Sequence, residues 1–436
     1  MDTHSTPARG SKICMLTYQD SPTCLPPMFN EGVSLARSGF EVDALCLGSS
    51  TSPSPTEVHV PGFTTRRIPI WTRSFFHSLF GVGTAHPAIA AVQYVLSYAE
   101  YAVKASARAL SSRADLYEAH DLPTLLPAIL AAKLRGKPVV YHAHELWSEK
   151  HAKVPFAAVW RLLDRMLVPR CDEVVTPDEH RSRIYRDEFR ARSTPMTVRN
   201  CPPYRPPIES TVLRDELASR GIRCSTIVLY QGLIDSMRCI EEITAATHHF
   251  DDGVVLVAIG SGFGAWSDPA AALAGHPRIV VLPRVRYEDL PPYTASADAG
   301  IVLYRNDCRN NYLCAPNKVF EYMMMGLPVI AASTPGMLEL VQGEEVGLCV
   351  NPEDPQEIAA AVNRLAADVA LRARMKANAL RLSRSRYNWE NESRPLFERY
   401  RSLLVSGGRH ASAPVLGGAG GPELAPPGHG AQVARR

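Results

Sequence analysis

The sequence predicts an α/β protein of two doubly wound, Rossmann-like parallel-sheet domains that face each other across a cleft. Three observations predict it. A strand–helix–glycine–strand rhythm opens the chain between Lys12 and Leu47, and a second one restarts at Thr226. Between the two lies a proline-rich stretch, NCPPYRPP from Asn200 to Pro207, which reads as an extended linker. Several strand candidates, such as VVLVAI (Val254–Ile259) and PVIAA (Pro328–Ala332), are continuous apolar runs, as strands covered on both faces must be. The 436 residues suffice for two such cores.

Composition narrows the partners. The formal net charge is only +3, so no nucleic acid or other polyanion is expected. Ten cysteines are scattered with neither a C-x-x-C pair nor zinc-ligand spacing, which suits reduced thiols in a cytoplasmic protein. The opening MDTHSTPARGSK lacks the apolar core of a secretion signal, and no run approaches the roughly 18 apolar residues of a membrane span. The expectation is a protein that is soluble or peripheral at a membrane.

The run KICMLTY (Lys12–Tyr18) is the first strand, and a helix follows from about Asn30 to Ser38. Gly39 ends that helix and FEVDALCL (Phe40–Leu47) is the second strand. Residues 50–84 read as irregular, with Arg66, Arg67 and Arg73 close to Trp71, Phe75, Phe76, Leu79 and Phe80. Basic and aromatic residues so mixed make either an interfacial membrane patch or a core with a solvated rim. A helix spans about Pro87 to Leu110. Two strands then end in polar clusters, DLYEAHD at His120 and Asp121, and PVVYHAHE at His142, His144 and Glu145. Polar residues at the carboxyl ends of parallel strands face a ligand crevice, so His120, His144 and Glu145 are the candidate catalytic groups. The rival reading of each histidine is a satisfied packing role. His142 and His144 share a strand face, but no further ligands stand out at later strand ends, so no metal is expected. Trp160–Pro169 is a helix, Asp172–Thr176 a strand and Pro177–Phe189 a helix.

After the linker, TIVLY (Thr226–Tyr230) is a strand whose loop, Gln231 to Arg238, includes Gly232. A helix from Ile240 to Phe250 and the strand Val254–Ile259 lead into Gly260, Gly262 and Gly264, a weak phosphate-loop match. RIVVLPR (Arg278–Arg284), a helix from Asp289 to Ser296 and DAGIVLY (Asp298–Tyr304) follow. The Asn- and Arg-rich loop from Arg305 to Leu313 stands where it would reach a ligand sugar.

The stretch CAPNKVFEYMMMGLPVIAASTPGMLE (Cys314–Glu339) organises the rest. Pro316 opens a short helix, Gly326 caps it and Pro328 forbids its continuation. Pro328–Ala332 is a strand, and Ser333 to Gly336 opens a second helix, so two helix N-termini point from the same sheet end, suited to anions. Asn317, Lys318 and Glu321 share one helix face. Lys318 suits a phosphate, and Glu321 can accept both hydrogens of a ribose diol. The competing reading is a solvated surface ion pair.

This stretch resembles the donor-sugar signature of retaining GT-B glycosyltransferases of the family 4-like group, through Glu321, Gly326, Pro328, Val329, Gly336 and Glu339. One departure is Leu313, where many members carry a first glutamate; the Pro316-Asn317-Lys318 segment is similar to a variant subgroup. The resemblance covers about residues 12–405. It implies the GT-B fold: a first, acceptor-side domain (11–200), the linker (201–209), a nucleotide-sugar-binding domain (210–385) and a helix crossing back to the first domain (386–406). The Gly/Pro/Ala-rich residues 407–436 read as a disordered tail. It also implies sugar transfer, with retention, from a UDP- or GDP-sugar to a glycan, lipid-linked or small-molecule acceptor. Donor contacts fall on Arg238, Gly232, Gly262, Arg284, Asn317, Lys318, Glu321 and Gly336. With no Asp-x-Asp in the chain, cations and helix dipoles are expected to neutralise the leaving diphosphate without an obligatory metal or other cofactor. A nucleotide-sugar epimerase or hydrolase of the same fold, and a non-catalytic nucleotide-sugar-binding homologue, remain open alternatives.

Overall fold

A computed structural model of the chain describes residues 10–48, 54–80, 86–150, 156–262 and 264–405. The tail expected at 407–436 lies outside the described residues. In the first half, β1 (Lys12–Thr17), α1 (Pro26–Arg37), β2 (Glu41–Gly48), β3 (Thr56–Val60), β4 (Phe63–Pro69), α2 (Trp71–Phe80) and α3 (Pro87–Ser112) lead to β5 (Leu116–His120). Then come α4 (Leu122–Arg135), β6 (Val139–His142), α5 (Ala157–Leu167), β7 (Glu173–Thr176), α6 (Glu179–Asp187) and β8 (Met196–Thr197). These strands form one sheet in the order β3-β4-β2-β1-β5-β6-β7-β8, parallel except for β3 against β4.

No regular element interrupts residues 198–211. The second half runs α7 (Val212–Ser219), β9 (Thr226–Gln231), α8 (Ile240–Ala246), β10 (Val254–Ile259), α9 (Pro269–Ala272), β11 (Ile279–Leu282), α10 (Leu290–Ala295) and β12 (Ala299–Val302). It continues through α11 (Arg309–Tyr312), α12 (Asn317–Met324), β13 (Val329–Ala332), α13 (Pro335–Met337, extended by a wide turn over Leu338–Gln342) and β14 (Gly347–Val350). Helices α14 (Pro355–Ala367), α15 (Val369–Ser385) and α16 (Trp389–Val405) complete it. The second sheet is wholly parallel, in the order β11-β10-β9-β12-β13-β14.

Both sheets reverse their winding at the first strand. β1 has β2 on one side and β5 on the other, and β9 likewise separates β10 from β12. At such a reversal neighbouring loops part in opposite directions and leave a crevice at the carboxyl edge. Thr17 and His120 are register partners at the first crevice; Gln231 ends β9 at the second.

Two apolar layers sandwich each sheet. One layer of the first domain is completed by the last helix, since Trp389, Leu396, Tyr400 and Leu403 pack with Met15, Met28, Leu116 and Val140. Helix α16 thus returns to the first domain, and its Trp389 indole donates to Ser34 Oγ at 2.8 Å.

The stretch expected to be irregular, residues 50–84, instead contains β3, β4 and α2 among its described residues. Strand β4 reads FTTRRIP, and its two arginines hide the pattern. Arg67 is buried because Glu57 Oε2 (2.6 Å), Ser54 O (2.6 Å) and Asp20 O (3.0 Å) accept from its guanidinium. Arg66 Nε reaches Asp43 Oδ1 on β2 at 3.3 Å. Charge pairing across strands replaces the alternation a propensity reading looks for.

Candidate active site

The loops after β9, β10 and β11 and the first turns of α12 enclose a cavity of about 490 Å³ on the second domain. Gly232, Arg284, Asn317, Lys318 and Glu321 all line it, and Phe29 and Asn30 of α1 face them from the first domain. Lys318 lies flat against the Gly232 turn. Gly232 has φ +125°, and a Cβ there would stand 2.2 Å from Lys318 Cε. Gly260 is equally constrained, its absent Cβ 1.7 Å from Gly232 O. The glycines therefore let backbone and ammonium share one edge of the cavity.

Glu321 is anchored one turn along α12. Gln231 Nε2 donates to its Oε2 at 2.6 Å, and Thr294 Oγ1 donates to Gln231 Oε1 at 3.0 Å. The next residue, Tyr322, takes the Gln231 N–H on its hydroxyl (3.1 Å) and donates to Leu229 O (3.1 Å). Helix α12 is thus locked to the end of β9, which fixes the carboxylate's position. Burial raises the Glu321 pKa; the Lys318 ammonium and the Gln231 hydrogen bond oppose the rise.

The remaining expected donor contacts do not share that cavity. Arg238 is held by Asp235 (Nη1 to Oδ2, 3.2 Å) and stacks over Tyr304 at 4.9 Å, its buried Nε without a partner. Gly262 serves the local turn, where a Cβ would meet Trp266 O at 1.4 Å. Gly336, at the start of α13, lines a neighbouring recess of about 300 Å³ with His180, Arg199, Cys314 and Glu339. His180 Nε2 lies 3.3 Å from Glu339 Oε1, across the two domains.

On the first domain, His120, His142 and His144 form a stack, with ring planes within 8–25° of one another. His120 Nδ1 and His144 Nε2 share a hydrogen bond 3.0 Å long. His120 Nε2 faces Glu118 Oε2 at 3.5 Å, and both residues are fully enclosed. His142 Nε2 shares a 2.8 Å hydrogen bond with the Tyr400 hydroxyl, which donates to Glu31 Oε1 at 2.6 Å. Burial holds the imidazoles neutral, pushing His144 down to about 4. One ring nitrogen from each of the three lies within 4.8 Å of the others, close enough to share a cation; in the cluster as it stands His120 and His144 are bonded to each other and His142 to Tyr400. Of the two histidines expected to be catalytic, His144 is half-buried at the edge of the stack and His120 is fully buried behind it.

Glu145, beyond β6, is partly exposed and ion-paired with Lys150. Its backbone N–H donates to Asp121 Oδ1 at 3.2 Å. Asp121, already part of the polar cluster that ends its strand, gains weight from a geometry the sequence does not show. It is buried, adopts φ +66° and ψ +159°, a region nearly reserved for glycine, and its pKa is raised to about 7 by burial and the neighbouring Glu145 charge.

In the loop from Arg305 to Leu313, Arg305 pairs with Glu242 of the second domain, whereas Cys308, Arg309 and Asn310 dock on the first; none of the loop lines the cavity beside Lys318. Asn310 Oδ1 accepts from Leu146 N at 2.8 Å and from Arg181 Nη2 at 3.2 Å, while Arg181 Nη1 donates to His144 O. Arg309 pairs with Glu149 and Glu188. Leu313, which stands where the resembling family often has glutamate, packs against the first domain's core. Arg181 and Asn310 therefore tie the backbone of His144 and Leu146 to α11 of the second domain, across 129 residues of sequence.

Two parallel-sheet domains opening on one cleft, with a terminal helix returning to the first, make this a GT-B protein. The chain belongs to the group 1 glycosyltransferases. The model described as "Glycosyl transferases group 1" matches residues 229–368, and "Glycosyl transferase 4-like domain" matches 31–201. A relative in sequence is the D-inositol 3-phosphate glycosyltransferase of Xylanimonas cellulosilytica, 25% identical over 90% of this chain and 97% of that one. Sucrose-phosphate synthase of Thermosynechococcus elongatus is similar in fold, with a TM-score of 0.71 at 19% identity over 91% of this chain and 100% of the other. So is Anabaena HepE in complex with UDP and glucose, with a TM-score of 0.66 at 16% identity over 90% and 100%.

Proposed function

We propose that the chain transfers a hexosyl group from a UDP- or GDP-sugar to a hydroxyl of a glycan, lipid-linked or small-molecule acceptor, retaining the anomeric configuration. The observation that carries this reading is Lys318 and Glu321 on one face of α12, lining one large cavity with the Gly232 turn. A diphosphate beside Lys318 gains its charge and the N-terminal dipole of α12. Glu321, one turn further, meets the ribose hydroxyls. HepE's bound UDP and the inositol phosphate in the relative's name support a nucleotide-sugar donor and a polyol or sugar-phosphate acceptor. A lipid-linked acceptor would be met at a membrane surface.

In the transfer, the acceptor oxygen forms a bond to the anomeric carbon on the face the diphosphate leaves, and the carbon–oxygen bond to phosphate breaks. The leaving phosphate oxygen takes the acceptor's proton, so no enzyme nucleophile is required. Lys318 and Arg284, which both line the cavity, offset the growing negative charge in place of an obligatory metal. His144 and Glu145, at the carboxyl end of β6, orient the acceptor hydroxyl, and His120 supports His144 through their shared hydrogen bond.

Calorimetric titration with UDP and with GDP, EDTA present throughout, tests the reading. Micromolar binding of one nucleotide is expected, weakened at least about tenfold, or about 1.4 kcal/mol, in Lys318→Ala and in Glu321→Ala. No binding of either nucleotide would remove the assigned seat.

A further inference from the structure

The outer face of the first domain carries apolar side chains that stand exposed among the described residues. Trp71, Phe75 and Leu79 recur every four residues along α2 and are 70%, 58% and 58% exposed. Val92, Val95 and Leu96 are exposed on the first turns of α3, and Phe156 and Val159 at the start of α5. The three segments are joined. The Lys104 ammonium of α3 sits 3.6 Å over the Trp71 ring, and the Tyr94 and Phe156 rings stack with centroids 6.3 Å apart. A contiguous apolar surface of this kind is uncommon on a protein that meets only water.

Its charge is one-sided. Helices α2, α3 and α5, which carry the patch, contain five basic residues (Arg73, Lys104, Arg108, Arg161, Arg165) and two acidic ones, and of the five Arg161 is paired with Glu149 and Glu188. Both acids are spent. Asp164 is fully buried, and Glu100 accepts from the backbone N–H groups of Trp71 and Thr72 and pairs with Lys104. A second copy of this chain would bring the same cations against one another, whereas anionic headgroups complement them.

The topology places the patch beside the cleft. Helix α2 follows the carboxyl end of β4, and α3 and α5 run back along the sheet from that same edge. Their apolar first turns therefore lie at the edge that carries His144 and Glu145. We propose that this face seats the first domain on an anionic lipid bilayer, with the cleft opening close to the headgroups. Trp71 and Phe75 enter the interfacial layer, and Arg73, Arg108 and Arg165 meet the phosphates around them.

Co-sedimentation of the full chain with phosphatidylcholine vesicles, with or without about one-third phosphatidylglycerol, tests this. Wild-type protein is expected to pellet with the anionic vesicles and to stay in solution with the neutral ones. The triple variant Trp71→Ser/Phe75→Ser/Leu79→Ser is expected to lose at least about fivefold of the bound fraction. Val369→Ser, which trims an equally exposed valine on the second domain, should pellet as wild type. An unchanged melting temperature of the triple variant excludes unfolding as the cause. Three results overturn the proposal: no binding to anionic vesicles, wild-type binding by the triple variant, or a wild-type dimer in light scattering that the triple variant dissolves without any vesicle binding. Vesicle binding needs no nucleotide, so failure of the donor seat would leave this result standing.

Discussion

The Glu321 carboxylate lines the large cavity while one of its oxygens takes the Gln231 amide hydrogen. Because burial raises its pKa above the ordinary 4.5, it protonates at a higher pH than an exposed glutamate as acid is added. Protonation removes an acceptor, so nucleotide affinity is expected to fall as pH is lowered toward the ordinary carboxylate range, sooner than for an exposed glutamate, and the fall should vanish in Glu321→Gln. Calorimetry across that range reads it; a wild-type affinity as flat as the variant's would refute the role. Gly232→Ala addresses the other side of the same cavity. Its methyl group would displace Lys318 and force alanine into a left-handed conformation, so nucleotide affinity should drop about tenfold, with more than about 1 kcal/mol of stability lost in chemical denaturation. At this scale the sequence is readable where spacing does the work. Asn317, Lys318 and Glu321 are placed by the period of one helix. Asp121 and Gln231 are not, because their significance comes from a backbone angle and from partners on other elements.

Helix α11 has four residues and no apolar face of its own, yet it holds the domains together. Asn310→Ala would leave the Leu146 N–H buried without an acceptor, while Arg181 Nη2 keeps the Asn310 carbonyl at 3.1 Å, at about 1–3 kcal/mol. Denaturant unfolding measures that loss; a change under about 0.5 kcal/mol would mean that the contact is made only loosely in solution. Nothing in RNDCRNNY distinguishes a solvated loop from one that docks, since the first-domain partners of Cys308, Arg309 and Asn310 lie more than a hundred residues away. The same reason hid β3 and β4, whose charges are satisfied by neighbouring strands. The continuous apolar strands β10 and β13, by contrast, are legible from composition, and so are the ends of α12 and α16, marked by Pro316, Gly326 and Trp389.

Across the whole molecule, Glu31, His142 and Tyr400 bring α1, β6 and α16 to one buried point. Burial raises Glu31 to about 8 against an ordinary 4.5, the Tyr400 hydrogen bond notwithstanding. A raised carboxylate binds its proton more tightly in the folded state. Its contribution is therefore fully present below about pH 4.5 and is lost as pH climbs through about 8. Glu31→Gln keeps the shape without the charge, so its stability relative to wild type should improve between those limits, by on the order of 2–4 kcal/mol. Thermal melts of both proteins at several pH values decide it, and parallel curves would count against the buried charge.

The return of α16 also sets an order of events during synthesis. The first domain's sheet emerges from the ribosome by residue 197, but the helix that covers one of its faces starts at Trp389. At about 5–20 residues per second the ribosome needs roughly 10–40 s to supply it. For that interval Met15, Leu116 and Val140 are without part of their cover, in a chain whose second domain is still being made. The nascent first half therefore exposes apolar surface that the finished chain buries, and a chain stopped before Trp389 would present that face for as long as it lasted.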